Sequence, residues 1–261
     1  MMTDRATLVM KFGGASLALP ENFEKIADII LMRAKEYGRI VVVVSAMGNT
    51  TDELLKLGRR VNANPPRREL DMLISAGERI SMALLAMALV GKGKEAISFT
   101  GSQSGIITSV EHSEARIVDV RPFRLLPHLE AGRVVIVAGF QGVSGKGEIT
   151  TLGRGGSDTT AVALGAALRA DKVEFYKDVG GVYEEDPKIN PAAKIYPKLS
   201  YEDAYDLMQK GAKVLHCRCV NLAFKNKLPL HVRPFSDLNS SGTRIGDVSE
   251  GSVPIYEQHQ D

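Results

Sequence analysis

The chain contains no tryptophan, two cysteines and an aromatic share of 6% in 261 residues. Without tryptophan, ligand binding by indole stacking is excluded. Cys217 and Cys219 lie too close together for an ordinary disulfide, and no second Cys/His pair lies nearby to complete a zinc site. They read as inert, reduced thiols of a cytosolic protein. An excess of charge of one sign is also lacking: 33 Lys and Arg against 31 Asp and Glu leave a formal +2. That balance makes no electrostatic case for a nucleic acid or membrane partner. No apolar run approaches the length of a membrane span. The opening MMTDRATLVMKFGG has neither the long apolar segment nor the small-residue cleavage site of a secretory signal, so the expected location is cytoplasmic. Neither a G-x-x-x-x-G-K-[ST] loop nor a G-x-G-x-x-G after a strand is found, so the usual nucleotide fingerprints are missing. His112, His128, His216, His231 and His259 are scattered and read as structural or surface residues.

What is present is an ordinary globular balance, 44% hydrophobic and 25% charged, organised as strands alternating with helices. Val9–Phe12, RIVVVVSAM, EAISFTG, RVVIVAGF, KVEFYKD and PLHVRPF are short apolar runs, as expected for strands covered on both faces. Between them, ENFEKIADIILMRAKEYG repeats its apolar residues at helical spacing and stops at Gly38. NTTDELLKL begins a helix that Thr50 or Thr51 would cap. RRELDMLISAGERISMALLAMALVGKG reads as one long helix or a broken pair. ARIVDVRPFRLLPHLEAG reads as a strand edge and a helix, and SYEDAYDLMQKGAKVLHCRCVNLAFKNK as helical. The alternation predicts an α/β protein, a three-layer α/β/α sandwich with a mostly parallel central sheet. No Pro/Ser-rich linker divides it. Two lobes are expected, with the break near Gly139–Thr151, and the polar tail from Asn239 onward is expected to be partly disordered.

Glycine turns with polar neighbours follow several of these strands: Lys11-Phe12-Gly13-Gly14, Ser45-Ala46-Met47-Gly48, Gly101 to Gly105, and Gly153-Arg154-Gly155-Gly156-Ser157-Asp158. In an open parallel sheet ligands bind at the carboxyl ends of the strands. Glycines there let backbone N–H groups approach an anion, helped by helix N-termini. Lys11, at the end of a buried strand, either snorkels to solvent or faces a ligand phosphate. Arg154 stands among glycines that a surface salt bridge would not need. Ser157 or Asp158 could cap the helix that follows. Glu78, inside an apolar helix, is costly if buried unpaired, and Arg79 or a ligand amine would be its partner.

The motifs KFGGAS, VVSAMGNTTDEL, ISAGERIS, FTGSQSGI, VAGFQG, TTLGRGGSDTTA, KDVGGVYEEDP and GAKVLH, in this order, resemble the catalytic domain of the aspartate kinases, in the amino acid kinase superfamily. The resemblance covers about residues 8 to 246. It implies phosphoryl transfer from ATP, with Mg²⁺, to the side-chain carboxylate of L-aspartate, the entry step to lysine, threonine and methionine biosynthesis. It implies catalytic roles for Lys11, Asp158 and Lys213. Aspartate would be held by Ser45, Thr51, Glu78, Phe140, Arg154 and Ser157, with Arg154 as a fork for the α-carboxylate and Glu78 as acceptor for the amine. ATP would be held by Lys11, Gly13, Gly14, Lys177, Asp178, Tyr183, Asp186, Lys188 and Lys213. Lys177 stands where Ser or Thr is common, and Lys188 where Arg is usual. No protein ligand is assigned to the metal, which the phosphates would mostly hold.

The same resemblance implies an acceptor and dimerisation lobe over about residues 1–140, an ATP lobe over about 141–246, and a tail over 247–261. Aspartate kinases usually continue into two ACT regulatory domains, so feedback inhibition in cis is not expected of this chain. The apolar stretch Leu70 to Val90 is either fully buried core or partly the interface of a homodimer. Uridylate kinase, a relative of the same superfamily, is the rival reading within enzymes, and an ATP-binding regulatory subunit is the rival outside catalysis.

Overall fold

Strand β1 (Thr7–Phe12) is buried along its whole length, and its alternation sends residues to two different cores. Val9 packs into one, Leu8, Met10 and Phe12 into the other. The same period of two puts Lys11 on the side of Val9. The computed structural model describes residues 6–187, 189–246 and 254–257. After β1 come α1 (Asn22–Arg33), β2 (Arg39–Val44), α2 (Thr50–Val61), α3 (Arg67–Ile74), α4 (Ala76–Gly91), β3 (Ala96–Phe99), β4 (Ile106–Thr108), β5 (Ile117–Val120) and α5 (Leu126–Glu130). Then follow β6 (Val134–Ala138), β7 (Gln141–Ser144), β8 (Ile149–Thr151), α6 (Gly156–Ala167), β9 (Lys172–Lys177), β10 (Lys198–Leu199), α7 (Tyr201–Gln209), α8 (Cys217–Lys225), β11 (Leu230–Pro234) and β12 (Thr243–Ile245).

Eight strands form the central sheet in the order β10-β12-β11-β9-β1-β2-β6-β3. The run from β11 to β3 is parallel throughout, and β12 meets β11 antiparallel. α1 and α4 cover the face of Met10 and Phe12, while α5, α6 and α8 cover the face of Val9. This is the three-layer α/β/α arrangement that the alternation predicts.

A second, four-stranded sheet in the order β5-β4-β7-β8 lies beside α6 and α3. Its strands are only three or four residues long, too short to show a hydrophobic period for sequence reasoning to find. The Gly139–Thr151 stretch runs through its β7–β8 hairpin.

Of the two readings of the Arg67–Gly91 stretch, the broken pair is the one found: it divides at Ser75 into α3 and α4. Taken as one helical segment, it reaches the length and apolar composition of a membrane crossing, which counting uninterrupted apolar runs overlooked. Asp71 and Glu78 are nevertheless buried within it against protein groups. α4 is not wholly core either: Ile80, Met87 and Val90 are exposed. Neither Thr50 nor Thr51 caps α2. Asn49 holds that position without a side-chain bond, and the Thr50 hydroxyl donates back to the Met47 carbonyl (2.7 Å).

The stretch from Ser200 to Lys227 is two helices, α7 and α8, because Gly211 (φ 110°) ends the first and GAKVLH forms the connecting loop. In the polar tail, Thr243–Ile245 is a strand between β11 and β10. Glu257 pairs with the backbone of Ile117 and with Arg218. Lys188 and residues 247–253 and 258–261 lie outside the described residues.

Candidate active site

The parallel strands end at one edge of the sheet, and a cleft of about 910 Å³ opens there. Its wall gathers Lys11 and Gly14 from the end of β1, Ser45 and Ala46 from the end of β2, and Thr51 on α2. Glu78 on α4, Phe140 after β6, Arg154, Ser157 and Asp158 at the head of α6, and Lys213 in the α7–α8 loop also line it, while Lys177 does not. Residues drawn from six separate motifs thus meet in one place. Gly13 adjoins the site, since a Cβ there would stand 3.6 Å from Lys11 Nζ. Asp178, Tyr183 and Asp186 sit in the loop after β9 and are not on the wall of this cleft.

The head of α6 is built around Gly155. It occupies the N-cap in the left-handed region (φ 72°), and a Cβ there would fall 2.3 Å from the Cβ of His216. That double constraint makes glycine necessary. It also corrects the expectation that Ser157 or Asp158 caps the helix: both lie inside the first turn, and the Asp158 side chain is committed elsewhere. Lys11 Nζ is 2.6 Å from Asp158 Oδ1, and Lys177 Nζ is 3.1 Å from Oδ2. Lys11 and Lys177 are far apart in sequence, but both fall on the α6 face of adjacent β1 and β9.

Burial of Asp158 opposes its charge, yet the two ammonium groups outweigh it and hold the carboxyl at about 2. Lys11 is pushed below the ordinary lysine range, first by burial and then by the charge of Lys177 against the pull of Asp158. The cluster therefore carries two cations and one anion in a nearly dry setting, a net positive charge aimed at the cleft.

Across the cleft Glu78 is in the opposite condition. It is 3% exposed. The Ala46 N–H donates to its Oε1 (3.1 Å), while its Oε2 has no partner. Burial raises its pKa from 4.5 to about 7, only partly offset by backbone N–H groups and the charge of Lys11. Arg79 is not its partner: that guanidinium donates to Gln141 Oε1 (3.3 Å), on the hairpin of the second sheet. Arg154 and Lys213 are exposed on the cleft wall and make no ion pair among the described residues. The surface salt bridge that would make Arg154 merely structural is thus not formed.

Other residues at the site escaped sequence reasoning. His216 lines the cleft and caps α8, accepting from the Arg218 N–H. His112 donates to the buried Asp71 carboxylate (2.8 Å). Ser113, at φ 72°, also lines the wall. None of the three stands in a spacing that sequence alone distinguishes. Cys217 lines the cleft, and burial pushes the Cys219 thiol up, away from thiolate character.

The amino acid kinase family model matches residues 6–234. An aspartokinase of Corynebacterium glutamicum is 51% identical over 253 residues, 97% of this chain. The chain spans 60% of that relative's length. Among solved structures, an aspartate kinase from Synechocystis superposes with a TM-score of 0.86 at 42% identity, covering 97% of this chain and 42% of that one. E. coli aspartokinase III, solved in complex with aspartate and ADP, superposes with a TM-score of 0.84 at 27% identity, covering 94% of this chain and 65% of that one.

Proposed function

The chain belongs to the amino acid kinase family, and from that premise we propose that it transfers the γ-phosphoryl group of ATP to the side-chain carboxylate of L-aspartate, giving 4-phospho-L-aspartate. The observation that carries this reading is the pairing, in one cleft, of an uncommitted guanidinium on Arg154 with a buried carboxylate oxygen of Glu78 that lacks a donor. An amino acid supplies the complement of both: a carboxylate for the fork and an ammonium for the orphaned oxygen. A nucleotide acceptor has no ammonium to offer. The complex of E. coli aspartokinase III with aspartate and ADP supports the same choice.

The acceptor carboxylate is ionised at neutral pH and needs no general base. The work left to the protein is to bring two anions together and to stabilise charge on the transferring group. Lys11, held by Asp158, faces the phosphates, and Lys177 and Lys213 add charge around them. Gly13 and Gly14 give the phosphates backbone N–H groups. Ser45, Thr51 and Ser157 flank the acceptor, and Phe140 walls it. Asp178, Tyr183 and Asp186, on the loop that follows β9, would hold the nucleoside end together with Lys188. Among the described residues no group of three His, Cys, Asp or Glu side chains gathers to hold a metal, and Asp158 is already committed to two lysines. Mg²⁺ is assigned mainly to the phosphates of ATP, as the resemblance implies.

The lobe over about residues 1–140 is read as mainly the acceptor lobe and that over about 141–246 as mainly the nucleotide lobe, with Arg154 and Ser157 reaching the acceptor from the second and Lys11, Gly13 and Gly14 reaching the phosphates from the first. Exposed Ile80, Met87 and Val90 on α4 favour a homodimer through that helix. The location is read as cytoplasmic. The test is a hydroxamate assay with ATP, Mg²⁺ and L-aspartate, beside glutamate, UMP and acceptor-free controls. Acyl phosphate trapped with aspartate alone is the expected result, and ATP consumption with UMP in its place would overturn the acceptor.

A further inference from the structure

Asp71 lies on α3, behind the cleft wall, and is fully buried. A carboxylate in that position is costly unless many donors surround it. Here they do. The Thr151 hydroxyl donates to Oδ1 (2.6 Å) and its N–H to Oδ2 (3.2 Å). The Ser113 N–H reaches both oxygens (3.1 and 3.0 Å), and His112 Nδ1 donates to Oδ2 (2.8 Å). Two of these donors belong to the cleft wall itself: Ser113, held in the left-handed region, and Thr151, three residues ahead of Arg154.

The opposite strand of the hairpin is fastened to the same helices. Gln141 is the register partner of Thr151. Its Nε2 donates to the Ser75 carbonyl (2.7 Å), and its Oε1 accepts from Arg79. Ser75 and Arg79 bracket Glu78 on α4. Thus one hairpin, continuous with Phe140 at one end and leading to Arg154 at the other, is riveted to the helices that present Glu78.

We propose that Asp71 is a positioning residue that sets the separation of Glu78 from Arg154, and through it the length of amino dicarboxylate that the cleft phosphorylates. The proposal rests on the acceptor assignment above. With the ammonium on Glu78 and the α-carboxylate on Arg154, an acceptor longer by one methylene places its reacting carboxylate elsewhere relative to Lys11. Discrimination between aspartate and glutamate then depends on how rigidly those two poles are held apart.

The experiment compares wild type, Asp71→Asn, Thr151→Val and the double variant in the hydroxamate assay, with aspartate and with glutamate. Folding is checked by circular dichroism and by ADP binding. Asp71→Asn turns one acceptor oxygen into a donor facing donors. Its kcat/KM for aspartate is expected to fall on the order of 10²-fold, chiefly through KM. The preference for aspartate over glutamate should narrow, with KM for ATP little changed. Thr151→Val removes one donor and is expected to give a smaller change in the same direction. It carries the test alone if Asp71→Asn does not fold. The double variant should lose no more than Asp71→Asn does. An unchanged preference, equal losses on aspartate and ATP, or additive losses in the double variant would overturn the positioning role. A wild type that phosphorylates no aspartate would instead bring down the acceptor assignment and this inference together.

Discussion

Asp158 and Glu78 face the same cleft and are almost equally buried, at 6% and 3% exposure, yet their carboxyls are displaced in opposite directions, to about 2 and about 7. Burial pushes both upward. The difference lies in what each was given as a partner. Asp158 touches two ammonium groups, whereas Glu78 has a backbone N–H on one oxygen and nothing on the other. At the Asp158 end of the cleft every charge thus has a partner, the anion serving to hold both lysines in place. The Glu78 end is left incomplete, with a carboxylate oxygen that, on the proposed function, gains its counter-charge from the substrate ammonium. A finished network suits a part that must be rigid in every state, and an unfinished one suits a part that must recognise.

The largest expected effect comes from breaking the finished side. Asp158→Ala would leave Lys11 and Lys177 buried side by side, and a cost of about 3–5 kcal/mol is expected, read from urea unfolding at pH 7. Because the folded-state carboxyl is depressed below 3.8, its contribution is present above that pH and is lost as pH falls through about 2. The variant should therefore approach wild type in strong acid. A variant as stable as wild type at neutral pH would contradict the description of Asp158 as the organiser of the two lysines.

Arg154→Ala removes the fork at the acceptor end without leaving a buried charge. Loss of about 1.5–3 kcal/mol of charge-assisted hydrogen bonding is expected, seen as a rise in KM for aspartate with stability unchanged. A fall in kcat with KM unmoved would place Arg154 at the phosphates instead.

The most delicate change sharpens the contrast. Glu78 must be ionised to receive an ammonium, so KM for aspartate in wild type should rise as pH falls below about 7, and Glu78→Gln should have a raised KM that varies little with pH. The stability effect has the opposite sign to that of Asp158. The folded-state carboxyl is raised above 4.5, so stability declines as pH climbs from there through about 7. Glu78→Gln is therefore expected to melt a few degrees higher than wild type at pH 8 and to lose that advantage at pH 5. Equal melting shifts at both values would mean that Glu78 has a partner in solution.

Much of the central sheet was legible because its strands are fully buried and rich in Val and Ile, and because α1 repeats its apolar residues at helical spacing. The small sheet was not. β4, β7 and β8 are short, and they are held by the β5-β4-β7-β8 pairing and by packing of β7 on α6 and of β8 on α3, which no local pattern encodes. The boundary between α7 and α8 failed in the same manner, since Gly211 interrupts a pattern that continues on both sides of it. At the site, Glu78 and Arg154 stood out as charges in apolar or glycine-rich surroundings; Lys11 left a solvent-facing and a ligand-facing reading open, and Asp158 entered as more than a helix cap only through the resemblance. Asp71, His112 and His216 were not, since their partners are 41 to 80 residues distant in the case of Asp71, and nothing adjacent marks them.

By itself, then, the sequence determined the layer order, the parallel sheet and the kinds of charge the cleft would hold, because those follow from hydrophobic period and from glycine turns at strand ends. Tertiary structure alone decided how those charges are paired. That Lys177 joins Lys11 on Asp158, that Arg79 turns away from Glu78 to Gln141, and that Asp71 fastens the Arg154 loop to the helices of Glu78 are all contacts between distant segments. The reason is physical. Pattern sets which face of an element a side chain occupies, but the energy of a buried charge depends on the atoms within a few ångströms, and only the folded chain brings those together.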